Sequence, residues 1–174
     1  MPRSFRNSYA AKQYRRKRDF LLGRPYRALN QSCDPDPYKE SVYEWEDSWP
    51  GWNRNHIGIN ACRKLVAVAC GHYKVKCPTV TVHHKRSFSF SIPTKDYNSI
   101  QGWGYEDRGG LNVPTALHEA AHHIAWSLHG NRIQDHGATW LGIYLDLLIR
   151  ARVAPEAALV ASLKPFRLRY RRQE

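Results

Sequence analysis

Residues 118–122 read His-Glu-Ala-Ala-His, and this run constrains the chain more than any other. Two residues four apart on an α-helix lie about 40° apart around its axis and one turn along it, so both imidazoles can reach one ion. Glu119 points about 100° away, which is too far round for an equivalent third ligand and suits a carboxylate that takes a proton from an attacking water. The competing reading is a polar helix whose histidines pair with each other or face solvent. The flanking residues favour a helix in either case. Pro114 fits a first turn, Asn112 is a candidate cap, and Gly130 marks an end. Between them Leu117, Ala121, Ile124 and Leu128 recur as a core-facing stripe beside the histidines.

A catalytic zinc takes three protein ligands and keeps one position open. Four residues nearby in sequence are candidates for the third. His123 sits about 100° round from His122, which predicts an exposed or supporting role. His129 lies a rise of about 10 Å beyond His122, outside a metal bond of roughly 2 Å. Asp135 and His136 remain, at the start of a second helix whose apolar stripe is Trp140, Leu141, Tyr144, Leu145 and Leu148. His136 is the predicted third ligand, and Asp135 can orient a ligand imidazole through its free N–H. Tyr144, two turns after His136, offers a hydroxyl for oxyanion support or, alternatively, a ring for the core.

Upstream, Asp34-Pro35-Asp36-Pro37 and Trp49-Pro50-Gly51-Trp52 are turn signals in a Trp-rich stretch, 31–55, expected to be an irregular lead-in. Ile57–Ala69 carries Ala61, Leu65, Val68 and Ala69 at helical spacing, with Gly71 as the expected left-handed stop. Thr79–His84 and Ser87–Ile92 alternate in hydropathy with Lys85-Arg86 between them, which predicts an antiparallel hairpin. A third strand is expected near Ile100–Tyr105, at the sheet edge beside the histidine helix, where it can pair with an extended peptide. Pro155 can open a last helix reaching Leu163.

The run His118-Glu119-Ala120-Ala121-His122, then Trp126, then His136-Gly137-Ala138-Thr139-Trp140, resembles the SprT-like, Spartan-type zinc metallopeptidases. Their pattern is H-E-x-x-H, an aromatic four residues on, and H-G-x-x-W/F opening the next helix. The likeness spans residues 55–150. It implies an α+β, compact zincin-like (minimal gluzincin-type) domain with a small antiparallel sheet, one Zn²⁺ held by His118, His122 and His136, and Glu119 as catalytic base. Members of that family often carry a C-terminal zinc ribbon with paired cysteines; here a short basic tail without cysteine takes its place.

Charge divides the chain into a body, 31–162, and two arms. Residues 1–30 hold nine Lys or Arg against one acid, residues 163–174 five against one, and the body 13 against 13. Basic arms interleaved with Phe5, Tyr9, Tyr14, Phe20, Tyr26, Phe166 and Tyr170 suit contact with nucleic acid, through phosphates and base stacking. Solubilising tails are the alternative. The cysteines, Cys33, Cys62, Cys70 and Cys77, form no C-x-x-C pair, and no secretory h-region or membrane span is visible, so a cytoplasmic or nucleic-acid-associated location is expected. The Arg-rich first 18 residues leave an organellar presequence open. Two functions follow: a metalloprotease acting on protein or peptide substrates, possibly nucleic-acid-associated ones, or a nucleic-acid-associated or virion structural protein with an inactive zinc-bound fold.

Overall fold

The computed structural model describes residues 36, 38–50, 56–83, 89–92, 95–101 and 111–172. The N-terminal arm, Cys33, Trp52, Lys85-Arg86, Phe88 and the stretch 102–110 lie outside the described residues. One compact unit spans Pro37–Glu174 and contains five α-helices and a small mixed sheet, an α+β fold.

The first helix, α1 (Lys39–Asp47), falls in the stretch expected to be irregular. Its stripe is Val42, Trp45 and Trp49, at i, i+3 and i+7; the first two are fully buried and Trp49 packs on the core. The Trp45 indole N–H donates to Ser162 Oγ at 2.7 Å, pinning α1 to the far end of the chain.

Helix α2 runs Ile59–His72, with Cys62, Val66, Ala69 and Cys70 inward. Val68, expected to face the core, is 70% exposed. Counting the two cysteines as apolar rotates the stripe to its true position, because a thiol packs as a small hydrophobe. Gly71 stays inside the helix. The left-handed residue is Lys74 (φ 55), where Lys74 N–H donates to Gly71 O and Val75 N–H to Cys70 O. This six-to-one and five-to-two pairing is a Schellman closure with a lysine in the usual glycine place.

The sheet differs from the expected hairpin. Strands β1 (Thr79–His83) and β2 (Phe90–Ile92) do not pair with each other; each pairs with β3 (Tyr97–Gln101), parallel for β1 and antiparallel for β2. The third strand is therefore central rather than at the edge. Asn98, Ser99 and Ile100 are all fully buried, and such a strand needs hydrogen-bonding neighbours on both sides. Its polar side chains are satisfied within the sheet: Ser91 Oγ donates to Asn98 Oδ1 at 2.8 Å across the β2–β3 register.

Helix α3 (Val113–His129) is the hub, packed on α2, β2, β3 and α4 (Ala138–Arg150). Asn112 caps it as expected, its Oδ1 accepting from Thr115 N–H at 2.8 Å, with Pro114 in the first turn. Leu117, Ala121 and Ile124 are buried, whereas Leu128 is 44% exposed where the helix runs past the core. The α4 stripe Trp140, Leu141, Tyr144, Leu145 and Leu148 is wholly buried. After α5 (Glu156–Ser162) and the 3-10 turn Lys164–Phe166, the C-terminal segment is built into the fold. Leu163 and Leu168 are buried, Phe166 and Tyr170 pack on the core, and Arg171 N–H donates to Ala138 O at 2.8 Å. The two aromatics expected to stack on bases are spent on packing.

Candidate metal centre

Helix α3 presents His118 and His122 one turn apart, and the turn before α4 brings His136 to them. His118 Nε2 lies 3.2 Å from His122 Nε2 and 3.3 Å from His136 Nε2. A tetrahedral ion with metal–nitrogen bonds of about 2.0–2.1 Å has ligand–ligand edges of about 3.3 Å, so both distances fit one metal ion. The three histidines are the one group of this kind among the described residues. His118 and His136 are buried and His122 is partly so.

The turn that delivers His136 depends on Gly137. Its N–H donates to Gln134 O at 3.1 Å, and a Cβ there would stand 2.9 Å from the Gln134 Cβ. Trp140, fully buried one turn into α4, stacks on His122 (centroids 4.9 Å apart, planes at 29°) and meets His118 and His136 with its edge. Trp126, the aromatic that followed H-E-x-x-H in the sequence pattern, is 36% exposed.

Three further residues complete the site, two of them from α1, outside the span of the family resemblance. Glu46 Oε1 accepts from His118 Nδ1–H at 2.8 Å and from the Tyr144 hydroxyl at 2.7 Å. This fixes the His118 ring and aims its Nε2 at the other two histidines. Tyr43 stacks on His118 (5.8 Å, 16°) and meets His136 edge-on. Glu46 rather than Asp135 is thus the carboxylate seen on His118; the Asp135 side chain is exposed. The Tyr144 hydroxyl, fully buried and donating to Glu46, is not available to an oxyanion. The stripe Val42-Trp45-Trp49 could have revealed α1 in the sequence. Nothing local could have revealed that Glu46 meets a histidine 72 residues later.

His123 is fully buried, contrary to the exposed position expected, and its Nε2–H donates to Lys76 O at 2.7 Å. It ties α3 to the segment leading into β1, away from the three Nε2 atoms.

Charge in the site follows from burial. His122 and His136 are held well below the usual imidazole range, first by burial and then by neighbouring positive charge, so both are neutral at pH 7. Burial also works against the His118 imidazolium, but the Glu46 and Glu119 carboxylates outweigh it and the net direction is up. Three facing nitrogens thus call for one cation, supplied by a proton on His118 or by a metal ion. Glu119 is 5% exposed and its Oε2 has no hydrogen-bond partner among the described residues. Burial pushes its carboxyl up to about 7, with His118 opposing and Glu46 adding to the rise.

Compared with protein-family models, curated proteins and solved structures, the chain finds no match.

Proposed function

We propose that the chain is a zinc-dependent metallopeptidase with a zincin-like, SprT-like domain. The observation that supports this best is the convergence of the His118, His122 and His136 Nε2 atoms beside a buried Glu119 carboxylate that has an unpartnered oxygen. Neutral imidazoles suit several divalent metals, and the helix-borne H-E-x-x-H pair with a third histidine favours zinc. When bound, zinc supplies Lewis-acid polarisation of the scissile carbonyl and acidifies water.

The chain's own residues do the rest. Glu119, whose proton affinity burial brings close to neutral pH, accepts a proton from the attacking water and returns it to the leaving amine. Glu46 and Tyr144 act through His118 as positioning residues. Strand β2 pairs with β3 on one side and with no strand on the other among the described residues, so an extended peptide has a backbone edge to join beside α3.

The test is zinc content and turnover of a disordered protein, such as casein, by wild type and Glu119→Gln. One zinc per chain in both, with cleavage in wild type alone, is expected. A zinc-loaded wild type that cleaves nothing makes the domain an inactive fold, and undiminished cleavage by Glu119→Gln removes the assigned base.

A further inference from the structure

The C-terminal segment carries a second functional surface. The 3-10 turn Lys164–Phe166 is closed by Arg167 in the left-handed region (φ 55), with Arg167 N–H on Lys164 O and Leu168 N–H on Leu163 O. The chain is turned so that Leu168 is buried, while Lys164, Arg167 and Arg169 stay exposed. These three cations line an open groove of about 410 Å³ whose apolar floor includes Val160, Leu163 and Leu168; none of the residues lining it is acidic. Nearby acids are already engaged, Glu156 with Arg172 and Asp146 with Arg150, whereas Lys164, Arg167 and Arg169 form no ion pair among the described residues.

Three unneutralised cations on one concavity, built into the fold, need a polyanion. We propose that this groove binds the phosphate backbone of a nucleic acid strand. From Arg167 to Arg171 exposed and inward residues alternate, as in extended chain, which sets successive outward side chains about 6.6 Å apart. A line of cations at that spacing follows a linear run of phosphates. A membrane surface would need apolar side chains free to insert, and here Leu168 and Tyr170 are turned into the core. Because those side chains are unavailable for stacking, binding reads charge and not sequence. The Arg171 N–H to Ala138 O bond ties the segment to the first turn of α4, two residues after His136. Bound nucleic acid is therefore held on the same rigid element as a histidine of the metal centre.

The proposal does not depend on peptide hydrolysis, and Glu119→Gln is expected to bind nucleic acid like wild type. The test uses the full metal-loaded chain, a fluorescent 20-mer as duplex and as single strand, and anisotropy between 50 and 200 mM salt. Glutamine at 164, 167 and 169 keeps the stems over the apolar floor and removes three charges. At about 0.7–0.9 in log–log slope per phosphate contact, the K164Q/R167Q/R169Q variant loses roughly 20- to 40-fold of the salt sensitivity over that range. K164R/R167K/R169K keeps it, and R169Q alone lowers the slope by about one contact, which guards against misfolding of the triple variant. A charge-matched control, K64Q/K74Q/R132Q, leaves the slope unchanged. Equal losses in control and groove variants, or an unchanged slope in the groove variant, overturn the proposal. So does a groove variant that loses binding to phosphatidylserine vesicles while keeping nucleic acid.

Discussion

Glu119→Gln has a consequence for stability that is separate from activity. In the metal-free chain the carboxyl is pushed from its ordinary 4.5 up to about 7, chiefly by burial. Below pH 4.5 it is protonated whether the chain is folded or not. Between pH 4.5 and about 7 the folded chain keeps a proton that the unfolded chain releases, so this group's contribution to stability falls as pH rises and levels off above 7. At about 1.4 kcal/mol per pH unit, the burial of a charged Glu119 costs about 3 kcal/mol at alkaline pH. Glutamine has nearly the same shape and never charges. Glu119→Gln is therefore expected to lie close to wild type at pH 5 and to be more stable by about 3 kcal/mol at pH 8.5. For a unit of this size that is about 10 °C in melting temperature. Urea unfolding with a chelator present, at both pH values, reads the difference between the two proteins, so histidine titrations shared by both cancel. Metal loading shrinks the difference, because a nearby cation favours the charged carboxylate. A difference between mutant and wild type that is equal at pH 5 and pH 8.5 refutes the placement of Glu119 in a desolvated pocket.

Two other perturbations probe the support of the site. Glu46→Ala removes the acceptor on His118 Nδ1 and is expected to weaken metal binding by about 10- to 100-fold, with Tyr144→Phe having a smaller effect through Glu46. Competition with a chromophoric chelator measures both, and wild-type affinity in Glu46→Ala would show that the ring is positioned by packing alone. Gly137→Ala forces a Cβ to within 2.9 Å of the Gln134 Cβ, so the turn carrying His136 must shift, at a cost of about 1–3 kcal/mol. A lowered melting temperature together with weaker metal binding is the expected result; unchanged metal affinity would mean that the turn moves without moving His136.

The sequence by itself determined what depends on neighbours a few residues apart. The helix α3, its Asn112 cap and the pairing of His118 with His122 follow from hydrogen bonds and side-chain periods within one or two turns. The α4 stripe was legible for the same reason, and with it the place of His136 at the helix start. Errors arose where a local pattern had more than one three-dimensional solution. Alternating strands 79–83 and 90–92 suit a hairpin or a shared partner, and the buried polar face of β3 decides for the partner. Lys74 and Arg167 close helical turns in the left-handed region because Val75 and Leu168 gain burial there, a benefit that no propensity for glycine foretells. Only the tertiary structure decided that Glu46 holds His118 and that Tyr144 holds Glu46, contacts 72 and 98 residues apart. It also turned the C-terminal aromatics inward and left Lys164, Arg167 and Arg169 on one groove. Spacing along a helix is set by the backbone, whereas partners across the core are set by which surfaces must leave water together.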